Sequence, residues 1–267
     1  MNPTSDLFRL SLASASSSSI LPITPPQPNC SYVLDFFAPA ISCYPAPDSA
    51  AKSFKNQLSN YTGDEMFINY FSWTPDSEHL SIDTPIPFNT TVFEPYDYEY
   101  GLDRPPMLFV WAGPDNATYL HTGALIGCTL QNVSYTVNFR FEATQQILDV
   151  KRGDNLVELI PARIMDLESG SFTETAETAI IAEWNSTIPY QSIMWAFGEI
   201  MTGAVSIALT DPAGGAAATP TSTLVQSTGL YPLLYSADNA TLAGAIEEMF
   251  QNITFSLFSN QEFLVDP

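Results

Sequence analysis

Apolar and polar side chains alternate without a break from Asn132 to Glu142. Val133, Tyr135, Val137, Phe139 and Phe141 fall on one side; Ser134, Thr136, Asn138, Arg140 and Glu142 fall on the other. Period-two alternation of this length predicts a β-strand with one buried and one wet face, and it puts Asn132 on the wet face. Gln145–Val150 follows after a short turn, which predicts a hairpin, and Leu156–Ile160 reads as a further strand. Earlier in the chain, Cys30–Pro39, Glu65–Trp73, Thr91–Tyr100 and Met107–Trp111 carry strand patterns. Asp48–Asn60 has Ala, Lys, Phe and Leu at helical spacing. Pro85, Pro87, Pro95, Pro105 and Pro106 mark turns and strand edges.

The period then changes. Over Tyr190–Leu209, Ile193, Phe197, Ile200, Ala204 and Ala208 recur every three or four residues with Glu199 opposite, which predicts an amphipathic helix rather than a membrane span. Ala213–Thr223, rich in Gly, Ala and Thr, reads as a flexible loop. Asp238 is placed to cap a last helix whose apolar face is Leu242, Ile246, Met249, Phe250, Ile253 and Leu257, with Glu247 and Glu248 on its wet side. Residues 1–28, Ser-rich and then Pro-rich, read as a disordered lead-in. Residues 29–260 read as a single glycosylated extracellular domain and 261–267 as a C-terminal tail. Strands followed by helices predict an α+β fold: an antiparallel β-sheet or sandwich core with two or three amphipathic helices, the main ones C-terminal.

Charge narrows the partners. The chain has 29 acidic and 8 basic residues among 267, a net charge of −21. So few cations cannot supply the basic stripe that nucleic-acid binding requires, nor dock the domain electrostatically on anionic lipid. A hydrophobic content of 45% argues against global disorder.

The compartment is written in the asparagines. Sequons of the form Asn-x-Ser/Thr begin at Asn29, Asn60, Asn89, Asn116, Asn132, Asn185, Asn239 and Asn252. With 14 Asn, 26 Ser and 24 Thr in 267 residues, chance gives about 2.6 sequons. A threefold excess points to the secretory pathway and to glycans at these eight positions. Three cysteines, Cys30, Cys43 and Cys128, allow one disulfide and leave one thiol over. Cys30 and Cys43 could close a hairpin, or Cys128 could pair with either. Met1–Ile20 lacks the compact apolar block of a secretory leader, and no apolar run is long enough to span a bilayer. A chain so marked, with neither feature, is expected to be part of a longer protein or the product of a truncated gene.

Three segments carry a resemblance: Asn29–Cys43 (NCSYVLDFFAPAISC), Cys128–Phe141 (CTLQNVSYTVNFRF) and Ala245–Phe258 (AIEEMFQNITFSLF), with a fourth, shorter one at Tyr190–Gly198 (YQSIMWAFG). In this order they resemble the large ectodomain of uncharacterised fungal multi-pass membrane proteins, some of which carry the label formylmethionine deformylase-like. The resemblance covers residues 29–260. It implies an extracellular, glycosylated domain tethered to the membrane by flanking hydrophobic spans, which this sequence lacks. It does not imply deformylase chemistry, which needs a His-Glu-x-x-His helix and a Cys around a metal. The two histidines, His79 and His121, begin no such motif.

There is no C-x-x-C, no Gly-x-Ser-x-Gly elbow and no phosphate-binding glycine loop. No cofactor or metal site is expected. Tyr96–Tyr100 places Asp97 and Glu99 on one strand face among tyrosines; with Glu94 they are the candidate carboxylates for glycoside hydrolysis, although a solvated strand edge has the same pattern. Trp73, Trp111, Trp184 and Trp195 could form a sugar platform, with core packing the default for Trp73 and Trp111 and Trp195 projecting opposite its helix's apolar stripe. The leading expectation is therefore a non-enzymatic, glycosylated extracellular domain that senses or binds a protein or glycan at the cell surface. The alternative is a secreted glycan-active hydrolase using paired carboxylates.

Overall fold

The structure, a computed structural model, describes residues 4–46, 51, 66–74, 108–112, 124–142, 145–158, 174–208, 217–220, 224–235 and 239–260. The helix expected over Asp48–Asn60 (Ala51 apart), the strand expected over Thr91–Tyr100 and the prolines between them lie outside these residues. Among the described residues seven strands form one sheet: β1 (Ser31–Pro45), β2 (Met66–Trp73), β3 (Leu108–Ala112), β4 (Ala124–Glu142), β5 (Gln145–Glu158), β6 (Gly203–Ala208) and β7 (Ala217–Pro220). Three α-helices accompany them: α1 (Ser5–Ser17), α2 (Glu174–Met201) and α3 (Asn239–Ser256). The fold is α+β, with every strand pair antiparallel.

The spatial order is β1-β4-β3-β2-β6-β7, with β5 also paired to β4. β4 organises the sheet. One side pairs with all of β1; on the other, residues 124–128 pair with β3 and 131–142 with β5. Its two halves differ in burial. From Val133 onward one face is buried and the other is wet, hence the alternation in the sequence. From Leu125 to Gln131 both faces are buried, so the run ALIGCTLQ does not alternate and the strand begins eight residues before Asn132. Of the separate strand expected at Leu156–Ile160, Leu156–Glu158 is instead the end of β5, reached across an irregularity opposite Ser134, and Leu159 and Ile160 lie outside the described residues.

β1 runs six residues past its expected end at Pro39. The bonds that flank its ladder, Ala46 N–H to the Leu125 carbonyl and the Phe141 N–H to the Cys30 carbonyl (both 2.8 Å), make the even-numbered residues the ones that bond to β4. Odd-numbered residues turn their N–H and C=O outward. Pro39 and Pro45 are both odd-numbered, so neither missing N–H costs a ladder bond.

Three expectations for the rest of the chain are corrected. The lead-in is not disordered throughout: Ser5–Ser17 is helical, the Thr4 hydroxyl accepts the Leu7 N–H at 3.3 Å, and Leu7, Leu10, Ser11, Ser14 and Ala15 are buried. Two of its serines, Ser11 and Ser14, are interior residues. Ser11 donates to the Leu7 carbonyl at 2.8 Å, and Ser14 meets Ser256 of α3 at 3.1 Å, so small side chains let the two helices approach. The helix expected over Tyr190–Leu209 ends at Met201 and starts well before Pro189. Gly203 (φ 143°) adopts a backbone conformation open to glycine, and Gly203–Ala208 then pairs with β2. Lastly, Ala217–Pro220, within the segment expected as a loop, is β7.

The core has two parts. On one face of the sheet, Ile41, Val110, Ile126 and Leu130 pack against Leu7 of α1, Phe197 and Ile200 of α2, and Ile246 and Phe250 of α3. Tyr70 on β2 anchors this side by donating to the Met201 carbonyl at 2.6 Å. Gly198 of α2 lies so close to the residue that follows β2 that an added Cβ would sit 2.7 Å from Thr74 Cγ2. On the other face, Ala38, Val133, Tyr135, Val137 and Phe139 pack against Ile23 and Phe255. The chain after α1 is tied there: the Ile23 N–H donates to Gln146 Oε1 at 2.6 Å and the Leu21 N–H to the Ser256 hydroxyl at 2.9 Å.

Candidate functional site

β1 is the end strand of the sheet, so its outward backbone groups need another partner. α3 supplies it for one half. The Cys43 N–H donates to Glu247 Oε1 at 2.7 Å, and the Thr254 hydroxyl donates to the Pro39 carbonyl at 3.3 Å. Glu247 is thus half-buried and engaged with the sheet edge rather than on the helix's wet side, while Glu248 is exposed. Phe255 and Phe258 reach past the edge onto the second core, where their rings meet Phe36 edge-on at 6.0 and 5.2 Å.

The other half of the edge, Ser31–Phe37, pairs with no further strand among the described residues. Val33 is 57% exposed, Leu34 39% and Phe37 65%. Asp35 lies between Val33 and Phe37 on the same face and is exposed; its Oδ1 accepts the Thr136 hydroxyl at 2.6 Å. Behind this strip the facing positions of β4 are Ser134, Thr136, Asn138 and Arg140, all polar.

The cysteines resolve into one bridge, Cys43–Cys128, with a Cα separation of 4.1 Å between directly opposed positions of β1 and β4. Cys30 is unbridged. A Cys30–Cys43 hairpin is not formed: Cys43 lies within β1 and Cys30 just before it, 13 residues away along the extended chain, or roughly 40 Å.

Of the sequon asparagines, Asn29 is exposed in a left-handed turn (φ 54°) just before β1. Asn132 is half-buried, its Oδ1 accepting the Tyr190 hydroxyl at 3.2 Å, and Asn252 is half-buried on α3. Asn185 and Asn239 lie in α2 and α3. Asn60, Asn89 and Asn116 lie outside the described residues, as do Glu94, Asp97, Glu99, His79 and His121. The structure therefore brings none of the proposed carboxylates to a described site. Trp111 is core, and Trp195 is half-buried on α2.

A polar cluster with no signature in the local sequence lies on the β4–β5 face. Arg152 Nη2 donates to Gln131 Oε1 at 2.9 Å. Arg152 Nε, the Tyr135 hydroxyl and Thr129 Oγ1 are buried with no hydrogen-bond partner. Burial pushes the Tyr135 phenol above its ordinary range; nearby Arg152 opposes this and Glu247 adds to it. These atoms have almost no surface open to solvent. Among the described residues there is no group of three metal-ligating side chains, and no helix is long and apolar enough to cross a membrane. The sequence signal for the edge strip was the segment Tyr32–Phe37, apolar on both faces of one strand. Only the structure shows which face α3 leaves uncovered.

No model of a known protein family, no curated protein and no solved structure matches the chain.

Proposed function

We propose that this chain is a non-enzymatic, glycosylated extracellular domain that senses or binds a partner at the cell surface. By its resemblance to the fungal ectodomains, it is held at the membrane through segments outside this sequence. The observation that carries the reading is the Cys43–Cys128 bridge, set between two paired strands of the core. A disulfide built into a core belongs to a chain that folds in an oxidising compartment. The sequon excess supports the same compartment, and Asn29 stands exposed at the start of β1.

The test uses the protein recovered from its natural source. Glycosidase treatment is expected to lower its mass by several glycans, and thiol titration of the unfolded protein is expected to find one free cysteine, Cys30. A carbohydrate-free protein with three titratable thiols overturns the reading.

A further inference from the structure

We propose that the uncovered half of the β1 edge, Ser31–Phe37, binds an extended segment of a partner protein by strand addition, and that the segment carries a basic residue flanked two positions away on each side by apolar ones. The inference rests on the binding role assigned above, not on the compartment. Loss of glycans or of the disulfide would defeat the assigned compartment without deciding the binding at this edge.

Four observations converge. First, Ser31, Val33, Asp35 and Phe37 are the odd-numbered residues, whose N–H and C=O groups point away from β4. Second, α3 engages this outward row at Cys43 and Pro39, and proline at positions 39 and 45 removes two of its N–H donors, so the row of outward donors is unbroken only at the other end. Third, the exposed apolar side chains stay on the edge strand while the row behind them on β4 is polar. A ligand that uses Val33 and Phe37 therefore lies along the edge rather than across the face. Fourth, Asp35 sits between them and faces solvent. Residues opposite Val33, Asp35 and Phe37 on an added strand are spaced by two, which gives the apolar-x-basic-x-apolar pattern.

Charge argues against a second copy of this chain. In antiparallel self-pairing over Ser31–Phe37 the two Asp35 carboxylates face each other directly or diagonally, and each copy carries a net charge of −21. A basic segment meets complementary charge at both scales.

The probe is a blocked heptapeptide, Thr-Val-Thr-Lys-Thr-Val-Thr, against the same peptide with a central Glu, titrated into the disulfide-bonded full chain and followed by backbone amide NMR. The Lys peptide is expected to bind at least tenfold more tightly, with shifts centred on Ser31–Phe37. Asp35→Lys is expected to reverse the order of the two peptides. Val33→Pro removes an outward N–H in the manner of Pro39 and is expected to abolish binding of both while the Cys43–Cys128 bridge still forms. Equal binding of the two peptides, binding of neither, or an unchanged order in Asp35→Lys overturns the proposal, even if Val33→Pro fails to fold. A dimer in sedimentation that Val33→Pro dissociates also overturns it, because the edge then belongs to a second copy.

Discussion

Replacing both bridged cysteines by alanine tests the central covalent feature of the fold. Cys43 and Cys128 are 85 residues apart in sequence and face each other in the β1–β4 ladder. Opening a loop of that length returns conformational freedom to the unfolded chain worth about 4–5 kcal/mol. The native state loses little in exchange, because β1 pairs with β4 along all 15 of its residues and the two sulfurs are a small part of the core. A domain's total stability is about 5–15 kcal/mol, so the loss takes about a quarter of it or more. The assay is equilibrium urea denaturation followed by tryptophan fluorescence. Wild type with reductant and C43A/C128A are expected to coincide at a much lower midpoint, and their transitions to steepen because the unfolded chain is more open. Cys30→Ser is expected to match oxidised wild type. If Cys30→Ser falls as far as the double variant, or the double variant stays within about 1 kcal/mol of wild type, the reasoning is wrong.

Other perturbations test the packing. Tyr135→Phe deletes a buried hydroxyl without a partner and keeps the ring contact with Phe255 (5.1 Å), so it is expected to stabilise by about 1 kcal/mol in the same denaturation assay; a loss of stability would mean the hydroxyl is engaged. Glu247→Ala leaves the Cys43 N–H without its charged acceptor and is expected to cost about 1.5–3 kcal/mol. Glu248→Ala, on the exposed side, should stay within about 0.5 kcal/mol; equal effects would deny the edge contact. Burial raises the phenols of Tyr32, Tyr70, Tyr135 and Tyr190 above the ordinary value of 10.0 in the folded protein. Their contribution to stability is therefore full below pH 10 and is lost as the unfolded chain ionises above it. Tyr70, wholly buried, contributes most to this alkaline slope. Denaturation midpoints from about pH 9 to pH 12 should fall steadily, and a flat profile would contradict the burial of these rings.

Legibility in the sequence followed exposure. The strand at Val133–Phe141 could be read because one of its faces meets water, and the apolar stripe of α3 because Gly244 and Glu248 lie in solvent on its other side. Where both faces are covered, as at Leu125–Gln131, the periodic signal vanishes. Proline and glycine misled in opposite ways. Pro39 reads as a strand end, yet its parity in an edge strand makes it harmless; Gly203 reads as one more residue of a helix that it terminates. Serine misled as well, since Ser11 and Ser14 look like low-complexity filler and are buried contacts of α1. The disulfide pairing could not be read because it depends on the β1–β4 register, a long-range property. The candidate surface was half legible: Tyr32–Phe37 shows an apolar strand, but nothing local shows that one of its faces stays open.

That opening follows from the geometry of the two elements that meet there. α3 runs antiparallel to β1, with Glu247 at Cys43, Thr254 at Pro39 and Phe258 against Phe36. A helix advances about 1.5 Å per residue and a strand about 3.3 Å. From Glu247 to Asn260 the chain therefore covers about 20 Å, whereas β1 from Cys43 back to Ser31 extends about 40 Å. A helix of this length can shield only half of such an edge, and the half it shields has already lost two outward N–H donors to Pro39 and Pro45. The unbroken row of outward donors, and the exposed Val33 and Phe37, fall together at the far end because rise per residue and proline parity act on the same strand. Extending α3 by a designed helical segment of about 13 residues would span the difference. Such a variant should bury Phe37 and abolish peptide binding at the edge without touching a residue of β1; peptide binding that survives the extension would place the docking surface elsewhere.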